Sequence, residues 1–90
     1  MEKAIITVVG KDQVGIIAKV CQFLAIKNIN ILDISQTILQ GYFNMMMIVD
    51  VSVANEDFGV ICDELDKMGE DIGVNIKLQH EEIFNKMHRI

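Results

Sequence analysis

Two glycines and one carboxylate stand close together near the start of the chain, in the segment GKDQVG. Gly10 follows an apolar run, Asp12 lies two residues later, and Gly15 precedes a longer apolar run. A glycine lets the backbone approach a ligand closely because it carries no side chain. The first N–H groups of a helix that begins at the second run favour a carboxylate or phosphate, since they have no acceptor within the helix. The segment therefore predicts a ligand-binding corner between a strand and a helix.

Asp12 has two compatible roles in this corner. It is able to cap the following helix by accepting hydrogen bonds from backbone N–H groups of the first turn. It is equally placed to contact a ligand held by the exposed N–H groups. The residue type alone does not separate these roles.

The segment lacks the residues that several known chemistries need. Its glycines have the spacing of a P-loop, but Ile16 and Ile17 stand where the lysine and the hydroxyl residue belong. A phosphate-holding arginine is missing from the loop, because the single arginine is Arg89. Cys21 and Cys62 lack metal-ligand spacing, which predicts reduced core thiols and no metal site. No nucleophile–base pair can be assembled, so we expect neither catalysis nor a cofactor.

The composition bounds the class of protein. Ninety residues, of which 51% are apolar, predict one domain over 1–90, with a core at 3–80 and a tail at 81–90. The surplus of apolar residues predicts a homodimer. A net charge of −5 argues against nucleic-acid and membrane partners. No spanning run or signal peptide is recognised, so we expect a cytoplasmic protein.

Hydrophobic periodicity predicts the elements that position the corner. The first half of the chain is predicted to form a strand at Lys3–Val9, a helix from Val14, a strand at Ile31–Leu39 and a turn at Gln40–Tyr42. The second half is predicted to form a strand over 43–53, a helix capped by Asn55 and ended by Gly73, a strand from Val74, and a short helix in the tail. The order βαββαβ predicts an α+β, ferredoxin-like fold with a four-stranded antiparallel sheet and two helices on one face.

Side-chain patterns assign faces to these elements. In the first helix, a stripe containing Ile17, Cys21 and Leu24 is expected to face the core, and Ile16 and Val20 widen it. The second strand is expected to place Leu32, Ile34 and Ile38 on one face. The tail residues Ile83, Phe84, Met87 and Ile90 are expected to dock onto the domain or onto a partner subunit.

The corner GKDQVGI, followed by a helix and then by NINI, resembles the ACT domain, a regulatory module that commonly binds amino acids. The resemblance covers residues 3 to about 80. The tail looks like the ending of a small bacterial family in which one ACT domain is the whole protein. The chain is also similar to the ACT parts of glycine-cleavage repressors and of formyltetrahydrofolate hydrolases.

The resemblance implies a site between two side-by-side subunits. Asp12 would contact the amino group of the ligand, and Gly15 and Ile16 would offer N–H groups to its carboxylate. Asn30 and Ile31 would close the site from the other subunit. Gly10 stands where serine-binding relatives have a histidine, so a polar contact of those relatives is missing.

Two functions from different classes follow. The first is a stand-alone regulatory domain that binds a small ligand, an amino acid, and acts through a separate protein partner. The second is a ligandless module for dimerisation or for docking to a metabolic enzyme or regulator. Polar residues converging at the corner favour the first.

Overall fold

The computed structural model describes residues 1–11 and 13–82 of the chain. Its elements follow one another in the predicted order. They are β1 (Lys3–Lys11), α1 (Ile16–Ile26), β2 (Asn30–Leu39), β3 (Tyr42–Asp50), α2 (Phe58–Ile72) and β4 (Val74–His80).

The four strands form one antiparallel sheet with the order β2-β3-β1-β4. Alternate residues of β1 and β3 point toward α1 and α2 and form a single buried cluster with them. Ile6, Met47, Leu24 and Leu65 lie fully buried at its centre. The ferredoxin-like prediction is confirmed, and the sheet leaves β2 and β4 as its edges.

Helix α1 buries a different stripe from the predicted one. Ile16, Val20 and Leu24 are buried, whereas Ile17 and Cys21 are only half-buried at its flank. The buried residues are four apart, as one face of a helix requires. The predicted stripe is displaced because α1 is apolar on most of its circumference, so periodicity alone does not define its inner face.

The strands around the corner also differ from their predicted bounds. β1 continues through Gly10 to Lys11, where Gly10 pairs with Phe43 on one side and Val74 on the other. β3 ends at Asp50 and not near residue 53, because the carboxylate of Asp50 accepts hydrogen bonds from the backbone N–H and hydroxyl of Ser52. Those bonds turn the chain away from the sheet.

The β2–β3 hairpin closes as predicted. Gln40 and Gly41 both have positive φ, 51° and 81°, which is the two-residue turn that suits the twist of a hairpin. A bulge lies between Ile31 and Asp33, so Leu32 has no partner on β3. Ile34 and Ile38 pair with buried residues of β3 and share their face, but Leu32 does not continue that row.

Helix α2 begins later than predicted. Its N-cap is Asp57, not Asn55, and it ends at the predicted Gly73, which has a φ of 79°. Asn55 instead serves the end of α1: its side-chain amide donates to the carbonyl of Ile26, and its backbone N–H donates to that of Lys27.

Three further expectations concern the cysteines, membrane-spanning helices and the tail. Cys21 and Cys62 are free thiols, as predicted. No helix within residues 1–11 and 13–82 is long and apolar enough to cross a bilayer. Glu81 and Glu82 are helical, and the rest of the predicted C-terminal helix, at 83–90, lies outside the described residues.

Two glycines of α2 provide a matched test of packing. A Cβ on Gly69 would lie 2.7 Å from the carbonyl oxygen of Val74, whereas one on Gly59 would meet nothing within 4 Å. We expect Gly69→Ala to lower the free energy of unfolding by about 1–3 kcal/mol, since the helix must move off the sheet. Gly59→Ala should raise it by up to about 1 kcal/mol through helix propensity. Urea denaturation measures both, and equal effects of the two changes would contradict the close packing at Gly69.

Candidate functional site

The corner is built around a left-handed residue at the start of α1. Gly15 is the N-cap of the helix and has a φ of 91°, a conformation that other residues rarely adopt. A Cβ at this position would meet nothing within 4 Å, so glycine is required by the backbone angle and not by lack of space. Gly15 therefore sets the direction in which the chain enters the helix.

The first turn of α1 presents donors that have no acceptor within the helix. The first hydrogen bond of the helix runs from the N–H of Lys19 to the carbonyl of Gly15, at 3.0 Å. The N–H groups of Ile16, Ile17 and Ala18 precede it and have no acceptor within the helix. They also lie at the positive end of the helix dipole, where an anionic group is stabilised.

A cleft of about 400 Å³ opens beside this turn. Buried Ile16 and Phe43 border it, and half-exposed Ile38 stands on the side of β2. Its full lining is Gln13, Gly15, Ile16, Ile17, Ala18, Ile38 and Phe43. The cleft thus combines apolar walls with the open end of a helix.

Gln13 fastens the corner to the second helix. Its side-chain amide donates to the carbonyl of Ile72 at 2.5 Å, at the end of α2. Val74, two residues further on, packs against Gly10, where a Cβ would lie 2.7 Å from its Cγ1. The loop before α1 is therefore held against the junction of α2 and β4, and Gly10 has a packing reason to be glycine.

The predicted site residues fall into two groups within one chain. Gly10, Gly15 and Ile16 lie at the corner, at the end of the sheet where β3 begins. Asn30 and Ile31 lie at the opposite end and pair with Asp50 and Val49. Asn30 is eight positions from Ile38 along β2, which is about 26 Å in an extended strand. Asp12 lies outside the described residues.

Ion pairs hold the C-terminal end of α1. The ammonium of Lys27 forms ion pairs with the carboxylates of Glu56 and Glu64, the latter at 3.0 Å. The hydrogen bond to Glu56, followed by that to Glu64, raises the pKa of Lys27, and the bond from Lys27 lowers the pKa of Glu56. The side-chain amide of Asn28 also donates to the carbonyl of Val53. These contacts tie the end of α1 to the start of α2 and leave its N-terminus free at the cleft.

Sequence reasoning missed five residues of the cleft, namely Gln13, Ile17, Ala18, Ile38 and Phe43. Gln13 and Phe43 were not named as site residues, and Ile38 was named only as a face residue of β2. The hairpin signal at Gln40–Gly41 was available, and it brings Ile38 opposite Phe43. No signal in the sequence relates Gln13 to Ile72, because that contact depends on the packing of α2. Within residues 1–11 and 13–82, no group of three metal-ligating side chains occurs.

Comparison with known proteins gives a consistent family. A family model described as the ACT domain matches residues 2–79. A UPF0237 protein of Bifidobacterium longum is 64% identical over 90 residues, and the match covers 100% of both chains.

Solved structures agree with this match. An ACT domain protein from Streptococcus pneumoniae superposes with a TM-score of 0.81 at 46% identity, over 92% of this chain and 93% of that one. The regulatory subunit of aspartate kinase from Thermus thermophilus gives 0.66 at 30% identity, over 88% and 51%.

A formyltetrahydrofolate deformylase from Pseudomonas syringae gives a TM-score of 0.81 at 23% identity, over 88% of this chain and 27% of that one, and shares the fold. The resemblance in the corner segment, the topology of the sheet and the family match all lead to one assignment. The chain belongs to the ACT domain family of regulatory domains.

Proposed function

We propose that this protein is a non-catalytic regulatory dimer that binds a free amino acid at the corner cleft and acts through a separate protein partner. The observation that carries the proposal is the cleft itself, in which the first N–H groups of a helix, which have no acceptor within that helix, adjoin an apolar hollow of about 400 Å³. An amino acid offers a carboxylate for such donors and a side chain for such a hollow.

The polar head of the ligand has natural contacts in this arrangement. Its carboxylate accepts hydrogen bonds from the N–H groups of Gly15 and Ile16, at the positive end of α1. Its ammonium group pairs with Asp12, whose carboxylate precedes the helix by three residues in sequence. Gly10 supplies no polar contact, and its close approach to Val74 leaves no space for a side chain on that face.

The dimer forms through the exposed edge of β2. Among residues 1–11 and 13–82, no strand pairs with the outer side of this ten-residue strand, which carries exposed apolar side chains. Leu32, Ile34, Ile38 and Leu39 are each more than a third exposed. Long apolar edges readily pair with another chain, and a second copy satisfies both the backbone groups and the side chains.

Antiparallel pairing of two β2 strands also completes the site. When the two strands align along their full length, Asn30 of the partner subunit lies opposite Leu39, and Ile31 of the partner subunit lies opposite Ile38. Ile38 borders the cleft, so the partner's Asn30 comes to its rim. The two groups of predicted residues, separated in one chain, then meet across the dimer axis.

The family and one of its solved relatives support the regulatory role. The aspartate kinase relative of Thermus thermophilus is a regulatory subunit. No catalytic constellation is recognised among the described residues, and in this proposal the protein acts on another protein in the cytoplasm. Free thiols at Cys21 and Cys62 are compatible with that compartment.

The β2 edge can be tested with two side chains of equal exposure. Ile34 on β2 is 43% exposed and Val60 on α2 is 42% exposed. Ile34→Lys brings two ammonium groups together near the dimer axis, so we expect it to sediment at 10.2 kDa at micromolar concentration, where the parent sediments at twice that mass. Val60→Lys should remain dimeric. A parent that sediments as a monomer, or a dimeric Ile34→Lys, would contradict this interface.

Ligand binding can be tested first by thermal unfolding with each free amino acid. A ligand at one hundred times its Kd stabilises the folded state by about 2.7 kcal/mol, which raises the Tm of a domain of this size by roughly 10–20 °C. The best ligand is then titrated calorimetrically into Asp12→Ala, Asp12→Asn and Asn30→Ala. Loss of a charge-assisted hydrogen bond should weaken binding roughly ten- to a hundredfold in Asp12→Ala.

The three variants separate the roles of these residues. Asp12→Asn retains a capping side chain, so a weakened affinity at near-normal stability assigns Asp12 to the ligand. Asn30→Ala changes only the half of the site that comes from the other subunit. If Asp12→Ala and Asn30→Ala both bind like the parent, the corner is not the site. If no amino acid raises the Tm of a dimeric protein, the docking module is the better description.

A further inference from the structure

The lining of the corner cleft carries information about the side chain of its ligand. Among the described residues that line it, five present apolar side chains and one, Gly15, presents none. Gln13 is the single polar side chain, and its amide is already bonded to the carbonyl of Ile72. On this basis, and resting on the proposed function, we infer that the ligand is a free amino acid with an aliphatic or thioether side chain.

The hydrogen-bond donors of the cleft are backbone N–H groups, and they lie in one part of it. The N–H groups of Ile16, Ile17 and Ala18 open at the start of α1, where the carboxylate of the ligand binds. The walls beyond them are formed by Ile16, Phe43 and Ile38. Ile16 and Phe43 are 3% and 2% exposed, so packing fixes them in place, and Ile38, which is 56% exposed, offers the largest apolar surface of the three to a ligand.

A polar ligand side chain loses binding free energy when it enters such a cleft. The hydroxyl of serine or the carboxylate of aspartate would give up water and find, among the described lining side chains, Gln13 alone as a polar partner. An aliphatic side chain gains by the same transfer, roughly fourfold in affinity for each buried methylene, the equivalent of about 0.8 kcal/mol. The order of affinity should therefore rise with the number of apolar carbon atoms.

The volume of the cleft is that of a site for a small ligand. A volume of about 400 Å³ is near the lower end of the range for small-molecule sites, roughly 300–1,000 Å³. It is large enough for a free amino acid.

The test compares affinities for leucine, valine, isoleucine, methionine, serine, aspartate and phenylalanine by calorimetric titration of the full-length protein. We expect the aliphatic and thioether ligands to bind at least tenfold more tightly than serine and aspartate. Ile38→Thr keeps a β-branched residue in β2 and places a hydroxyl on the wall, so it should lower the leucine-to-serine affinity ratio by about tenfold. Ala18→Ser adds a hydroxyl from the exposed side of α1 and should lower the same ratio.

Val60→Thr is the control, since it makes a matched change on α2, outside the cleft, and should leave the ratio unchanged. Sedimentation of each variant verifies that the dimer persists. If serine, aspartate or phenylalanine binds most tightly and loses affinity in Asn30→Ala, the inference on the side chain is overturned while the proposed function stands. If no amino acid binds the parent, the proposed function itself fails.

Discussion

The close approach of two glycines to Val74 is the constraint on which the corner depends. Gly10 brings β1 against the side chain of Val74, and Gly69 brings α2 against its carbonyl oxygen. A Cβ at either position would lie 2.7 Å from an atom of Val74, so one of the two elements would have to shift. Val74 follows Gly73, which ends α2, so the same junction fixes where the helix stops and β4 begins. Gln13 then ties the loop before α1 to this junction.

Helix α1 is held firmly at one end and left open at the other. At its C-terminus, Lys27 pairs with two carboxylates of the α2 region, and Asn55 donates to the carbonyl of Ile26. Along its length, Val20 and Leu24 are fully buried against the sheet. The N-terminal donors have no such partner within the helix, although Gly15 positions them rigidly at a cleft. A site whose donors are fixed in advance loses little entropy when a ligand binds.

The fold was predictable from the sequence because each of its signals is local. The turn at Gln40–Gly41 and the helix end at Gly73 follow from backbone angles that glycine favours. The inner face of α1 was not predictable, because apolar residues surround most of that helix and only packing decides which row is buried. The cleft was predicted in part: Gly15 and Ile16 came from the motif. Phe43 and Gln13 depend on a strand register and on a helix end far away in sequence.

A ligand site shared by two subunits has a thermodynamic consequence for regulation. In the proposed dimer, the cleft of one subunit is closed by Asn30 of the partner subunit, so a bound amino acid contacts both chains. Whatever factor the dimer adds to ligand affinity, the ligand must add to dimer affinity, because the two equilibria are linked. In this proposal, the exposed apolar edge of β2 drives association without ligand, and the ligand then changes the strength or the alignment of the pair. A separate protein that recognises the paired sheet would thereby read the amino acid concentration without contacting the ligand.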